Sequence, residues 1–277
     1  MVTSTRGLSL FNQSKNQELS TSLVNLAKPA LQEYQVFQLK IINCCIETNT
    51  VPLEWKSALV TPLFKNKGAI DEVTNYRGIS VLAPLAKVFE KLINEQILEY
   101  LDCQNILFAG QHGFRKGHSC ETALHELLSD INMARDKRLI TMLLMVDYRK
   151  AFDCVDSSLL LLKLFHYGFS NDAIKLVASY FKDRQQRTKL KNKLSNTDDI
   201  KLGFPRASVL GPLLFLIFIN DLAFLLNKLS CKLFADDTTI YKSGSDLGNL
   251  IKEFQSTVNP LFSWCKLNRL DINWSKT

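Results

Sequence analysis

Three aspartates in this 277-residue chain stand where acid chemistry would need them. Asp236 and Asp237 interrupt two short apolar, β-prone runs in Lys232-Leu233-Phe234-Ala235-Asp236-Asp237-Thr238-Thr239-Ile240-Tyr241, a pattern that reads as a hairpin with both carboxylates at its turn. Like charges held that close raise one pKa or distort the turn unless a cation lies between them. Asp147 ends another strand-like run, Ile140-Thr141-Met142-Leu143-Leu144-Met145-Val146. With the two strand ends side by side in one sheet, three carboxylates converge on a metal-sized space, as a two-metal phosphoryl-transfer centre requires. An Asp-Asp step alone is an ordinary solvated turn, so this reading depends on its surroundings.

The elements that would position these residues are legible in outline. Strands are expected at 139–146, 231–235 and 238–242, with helices between them, giving an α+β sheet with helices packed on one face. Leu85, Val88, Phe89, Leu92, Ile93, Ile97, Leu98 and Leu101 keep helical spacing over 84–101, after a helix-starting proline. A second helix opens at Ser119 and is expected to bury Ala123, Leu124, Leu127, Leu128 and Ile131. A third follows Asp156, suited to an N-cap. Others are expected over 172–182 and 247–267, the last kinked or split at Pro260. Between the acidic strands, Gly203-Phe204-Pro205-Arg206-Ala207-Ser208-Val209-Leu210-Gly211-Pro212 is a Gly/Pro-punctuated loop that runs into an apolar helix.

The 34 basic and 27 acidic residues leave a formal charge of +7, which favours a polyanionic partner. Six basic residues and one acidic fall within 182–193, a net +5. That segment reads either as a solvated hairpin or as a phosphate-contacting surface. The seven cysteines are scattered and lack zinc-ligand spacing, as expected of reduced thiols in an intracellular protein, nuclear or cytoplasmic. Residues 1–20 are polar and lack the signal-peptide pattern. The most apolar stretch, 209–226, contains Asn220, Asp221 and a Gly-Pro break, so a buried helix is expected and no membrane partner. The four histidines neighbour no second ligand or nucleophile, which leaves hydrolase triads and zinc chemistry unsupported.

Val-Asp-x-x-Lys-Ala-Phe-Asp from Val146 to Asp153, Gly-x-Pro-x-x-Ser-Val-Leu-Gly-Pro from Gly203 to Pro212, and Phe-Ala-Asp-Asp from Phe234 to Asp237 follow one another in an order that resembles the palm of a reverse transcriptase of the non-LTR, LINE-type retrotransposon class. Trp55-Lys56, Pro62-Leu63-Phe64-Lys65 and Asn75-Tyr76-Arg77-Gly78-Ile79-Ser80 are similar to that family's fingers, and Gln111-His112-Gly113-Phe114-Arg115 to its next block. Trp264, Asn268, Leu270, Asn273 and Lys276-Thr277 resemble the start of the last palm motif. The resemblance covers about 36–277. It implies an α+β right-hand fold with a flexible segment over 1–23, fingers over 24–135 and a palm over 136–277, in a fragment without thumb or endonuclease.

By the same resemblance, Asp147, Asp236 and Asp237 would hold Mg2+, or Mn2+ in its place, for transfer from a dNTP to a DNA primer on an RNA template. Lys65 and Arg77 would cradle the triphosphate, Phe152 would gate the sugar's 2′ position, and Lys276 matches a lysine able to protonate pyrophosphate. Gln111 and Arg115 would shape the template channel, while Arg184, Arg187, Lys189 and Lys191 would contact nucleic acid. Arg206 would meet the nucleotide. Here the chain departs from the pattern, since Arg206-Ala207 stands where the family has Gln-Gly, and Arg77-Gly78 where it has Arg-Pro. Weakened activity is therefore expected. The alternative is an inactive remnant that only binds nucleic acid; an intron-encoded maturase fits the wording less well.

Overall fold

The computed structural model describes residues 36–205 and 207–277, so the expected flexible segment over 1–23, and Arg206, lie outside the described residues. Residues 36–47 form helix α1. Thr48–Thr277 form a separate compact unit with two sheets.

The first sheet starts with β1, Ser57–Phe64, which pairs antiparallel with β2, Tyr76–Val81. Helix α2, Pro84–Cys103, follows, with Pro84 at its first turn, where a missing N–H does no harm. Its buried stripe is Ala86, Phe89, Ile93, Ile97 and Leu101, and it also carries one charged residue, Glu90. Helix α3, Cys120–Asp136, opens on a capping box between Ser119 and Thr122.

The second sheet is built from β3, Ile140–Val146, and the hairpin β7, Ser230–Phe234, with β8, Asp237–Gly244, in the order β3-β8-β7, all antiparallel. Between β3 and β7 the chain makes α4, Ala151–Cys154, and α5, Ser157–His166, the latter capped by Asp156. Next come α6, Asn171–Phe181, capped by Ser170, and β4, Gln185–Leu190. The short β5, Lys193–Leu194, and β6, Asp198–Asp199, both pair with β4. β4 runs parallel to β1, so a strand from beyond residue 135 completes the first sheet.

α7, Leu210–Ile219, is the centre of the core, with nine of its ten residues buried. A helix apolar on every side has to be enclosed, and α2 and α5 pack on it. α8, Asp221–Leu225, leads towards the hairpin, and α9, Leu247–Leu267, closes the chain. Among the described residues, no helix is long and apolar enough to cross a membrane.

Three expectations need correction. Pro260 does not split α9, because Leu250, Phe254, Val258, Leu261, Trp264 and Cys265 bury one face on both sides of it, against a proline cost of about 3 kcal/mol. α3 buries only Leu127 and Ala134, while Leu124 and Leu128 are exposed. Its Glu126 and Asp130 instead meet Lys232 and Tyr241 of the second sheet. Since Glu253 of α9 pairs with Lys242, and alternate strand residues point to opposite faces, helices reach both faces of that sheet.

Candidate active site

Asp147 follows β3 directly, and residues 271–273 hold it in place. Arg149 N–H donates to the Asp271 carbonyl, Asn273 N–H donates to the Asp147 carbonyl, both at 2.8 Å, and Tyr148 and Ile272 form an isolated bridge. Asn273 Nδ2 donates to Asp147 Oδ2 at 2.6 Å, and Lys276 Nζ lies 3.4 Å from the same oxygen. One carboxylate oxygen thus serves the protein, which orients the group.

Asp236 occupies the two-residue turn between Phe234 and its partner Asp237. Ala235 before it has φ +57, a left-handed conformation. The turn is braced from below by Gln111, a buried residue whose Oε1 accepts from Ala235 N–H at 3.1 Å and Gly113 N–H at 2.9 Å. A Cβ at Gly113 would lie 2.2 Å from Ala235 N, so only glycine lets this strap approach so closely. Burial, and then the carboxylates of Asp237 and Asp147, raise the Asp236 pKa above the ordinary aspartate value, with Lys276 opposing.

Both aspartates line a cavity of about 580 Å³, a volume suited to a small-molecule ligand. Lys65, Arg77, Lys150 and Lys276 bring cationic groups to its wall, and Phe204, Pro205, Ala207 and Ser208 form a third side. The Phe152 ring faces the cavity and stacks on Phe215, with centroids 4.3 Å apart. Asp237 is exposed on β8 and does not line the cavity.

Among the described residues, no three His, Cys, Asp or Glu side chains form a group able to hold a metal ion. The donors that are present still suit magnesium, which takes one or two carboxylates and leaves its other positions to water and substrate phosphates. Asp236 also carries an unfavourable charge that a cation would relieve.

The other residues picked out from the sequence divide. Arg115 Nη1 donates to the carbonyls of Phe108 and Gln111, so it supports the strap. Arg184 is 2% exposed, donates Nη1 to the Tyr180 carbonyl at 2.9 Å and lies over the Tyr180 ring. Burial takes it out of any contact surface. Arg187 Nε donates to Thr197, and Lys189 and Lys191 are exposed along β4 and the turn after it. Arg206 lies outside the described residues. Ala207 has φ +68, a region that costs an L-residue about 1–2 kcal/mol. Gly203, at φ +77, could not carry a Cβ, which would lie 2.7 Å from the backbone of Asp153.

Sequence reasoning missed Glu90. It is 1% exposed, and its Oε2 accepts from Ser208 Oγ at 2.8 Å, Val209 N–H at 2.6 Å and Leu210 N–H at 3.2 Å. The Tyr180 hydroxyl lies 3.3 Å from Oε1. The signal was present, because a glutamate one turn after Ala86 lies on the apolar face of its helix, where a charge has to find buried partners. Nothing local told which.

An antiparallel sheet that carries one carboxylate at a strand end and another in the adjoining hairpin turn, both lining a cavity with several cations, has the architecture of a polymerase palm. The chain belongs to the family described as Reverse transcriptase (RNA-dependent DNA polymerase), which it matches over residues 64–277. It is 29% identical over 272 residues to a probable RNA-directed DNA polymerase from transposon BS of Drosophila melanogaster, with 92% of this chain and 29% of that protein covered. A probable RNA-directed DNA polymerase from transposon X-element of the same fly is 28% identical, with 97% and 30% covered. These relatives agree with a LINE-type reverse transcriptase domain, and the chain spans less than a third of their length. Apo telomerase from Candida tropicalis, truncated from its C-terminal domain, shares the fold with a TM-score of 0.60 at 10% identity, over 82% of this chain and 50% of that one.

Proposed function

We propose that this chain carries the fingers and palm of an RNA-directed DNA polymerase, and that its cavity is where a dNTP is joined to a primer on an RNA template. The observation that supports this most is one cavity lined by Asp147 and Asp236 together with Lys65 and Arg77. In this reading the described part of the fingers, up to residue 135, is joined by β4, and the palm takes the rest to 277.

Lys65 and Arg77 bind the triphosphate through charge-assisted contacts, which fix it for in-line displacement. Lys65 Nζ now donates to the Thr74 carbonyl at 2.8 Å, so it exchanges that bond for phosphate when the nucleotide arrives. Phe152, held by its stack on Phe215, excludes a 2′-hydroxyl by contact and selects deoxynucleotides. The primer 3′-hydroxyl gives its proton to water and its oxygen bonds to the α-phosphorus, as the bond from that phosphorus to the α–β bridging oxygen breaks and pyrophosphate leaves. Lys276, now paired with Asp147, would give that product a proton. Asp147 and Asp236 would hold magnesium, with Asp237 adjacent; when bound, it supplies a lower pKa for the attacking hydroxyl and a charge for the leaving group. Arg187, Lys189 and Lys191 would meet phosphates of the template-primer duplex.

The test is primer extension on a primed RNA template with Mg2+ and dNTPs. Template-directed products that depend on Asp147 and Asp236 are expected. A folded chain that binds the template-primer yet extends nothing, even with Ala207→Gly and Arg206→Gln, would refute the reading.

A further inference from the structure

We propose that Glu90 is a positioning residue for nucleotide binding: a carboxylate on α2 that fixes the 203–209 loop and the start of α7, and so sets the shape of the cavity's third wall. This rests on the polymerase reading of that cavity.

Val209, the residue before α7, has no capping side chain of its own, and its helical φ and ψ leave the first turn's N–H groups pointing outwards. Glu90 satisfies two of them from another helix. The same oxygen takes the Ser208 hydroxyl proton, and Ser208 Oγ in turn accepts from Gly211 N–H at 2.9 Å. Because the Ser208 proton goes to Glu90, Tyr180 OH donates to Ser208 Oγ at 2.8 Å, closing the network. Glu90 does not line the cavity, whereas Ala207, Ser208, Gly211 and Pro212 do.

A carboxylate is required here rather than any polar group. Three donors converge on its Oε2, and an amide in its place would lose the negative charge at a helix N-terminus. The loop has reason to need such a clamp. Ala207 is held at φ +68, and strained backbone persists only where its surroundings over-determine it. With the clamp weakened, Ala207 relaxes towards negative φ and the wall moves.

The experiment compares Glu90→Gln, Glu90→Asp and Ser208→Ala with Glu95→Gln, an exposed position on the same helix. Two readouts are taken on protein shown to be folded by circular dichroism: hydrogen exchange over 203–212, and steady-state kinetics for dNTP and for template-primer separately. Glu90→Gln should speed exchange of the Val209 and Leu210 amides about tenfold or more, leave later amides of α7 protected, and raise KM for dNTP about tenfold with KM for template-primer unchanged. Glu90→Asp and Ser208→Ala should shift both in the same direction by less, and Glu95→Gln should match the parent. Unchanged exchange at Val209 and Leu210 in folded Glu90→Gln overturns the proposal, as does a fall in kcat with no change in KM for dNTP. If neither the parent chain nor its Arg206→Gln/Ala207→Gly form extends a primer, the polymerase reading fails, while the exchange readout still decides whether Glu90 fixes the loop.

Discussion

The two walls that meet at the cavity are held in place by different means. The carboxylate wall is built from short-range geometry, a strand end for Asp147 and a two-residue hairpin turn for Asp236, steadied by Asn273 and by the buried strap at Gln111. The loop wall has little local structure. It runs through a left-handed alanine into a helix whose one local cap is Ser208 on Gly211, and its remaining hydrogen bonds are completed by a glutamate 118 positions away in the sequence from Ser208. Chemistry-bearing side chains can sit on regular elements whose pattern repeats every two residues, whereas a wall that must conform to a substrate is irregular and has to be propped from elsewhere.

The comparison is most exposed at the carboxylate wall, where the largest effect is expected. Asp236→Asn should lower primer extension by about a thousandfold or more, the scale of removing a preorganised electrostatic group. Nucleic-acid binding, measured by filter retention or anisotropy, should remain. A variant that still extends would mean that this wall is not where the chemistry occurs.

On the loop wall the change should go the other way. The pair Arg206→Gln with Ala207→Gly should raise extension at least about tenfold under identical conditions, because small misplacement of a substrate can cost about a hundredfold. Ala207→Gly alone should also stabilise the fold by about 1 kcal/mol in chemical denaturation, since glycine accepts the positive φ that alanine resists. Full activity of the unmodified loop would show that its strain has no bearing on the substrate.

Phe152 joins the two walls, packed on Phe215 of α7 while facing the cavity. Phe152→Val should raise the ratio of ribonucleotide to deoxynucleotide incorporation about tenfold. Because the ring also stacks on the core, the ratio is measured on protein whose melting curve shows it folded. An unchanged ratio would leave Phe152 a packing residue only.

How much could be read in advance follows the same division. Asp147 and Asp236 were legible because alternating apolar runs announce strands, and carboxylates at strand ends stand out against them. The helix after Ser119, the cap at Asp156 and the apolar α7 were legible for similarly local reasons. Roles that depend on burial were not. Arg184 and Gln111 belong to segments that read as nucleic-acid contacts, but the fold encloses them, Arg184 over Tyr180 and Gln111 beneath the hairpin. β4 falls beyond the boundary expected at 135, yet it completes the first sheet through a parallel pairing with β1, which no local pattern encodes. Glu90 is the extreme case, a charge in an apolar stripe whose meaning lies in a loop met only after folding.

The smallest effect concerns the strap that carries Gln111. His112 next to it is buried, and burial lowers its pKa, with Glu126 opposing and His118 and Lys232 reinforcing. The unfolded chain therefore takes up more protons than the folded one as pH falls below about 6.5. Stability contributed by the neutral ring is complete above that pH and is lost on acidification. Chemical denaturation at pH 7 and pH 5 should show a smaller drop for His112→Gln than for the parent. Equal drops would mean that the ring is protonated without penalty, and that the strap is looser than its contacts indicate.

The most direct test of the central claim is single-nucleotide extension of a primed RNA template with Mg2+, comparing Ala207→Gly with Ala207→Gly/Asp236→Asn at equal template-primer occupancy. The account predicts one templated deoxynucleotide added by the first protein and none above background by the second, with both binding the duplex alike. Equal extension by the two, or none by either despite full occupancy, would contradict it.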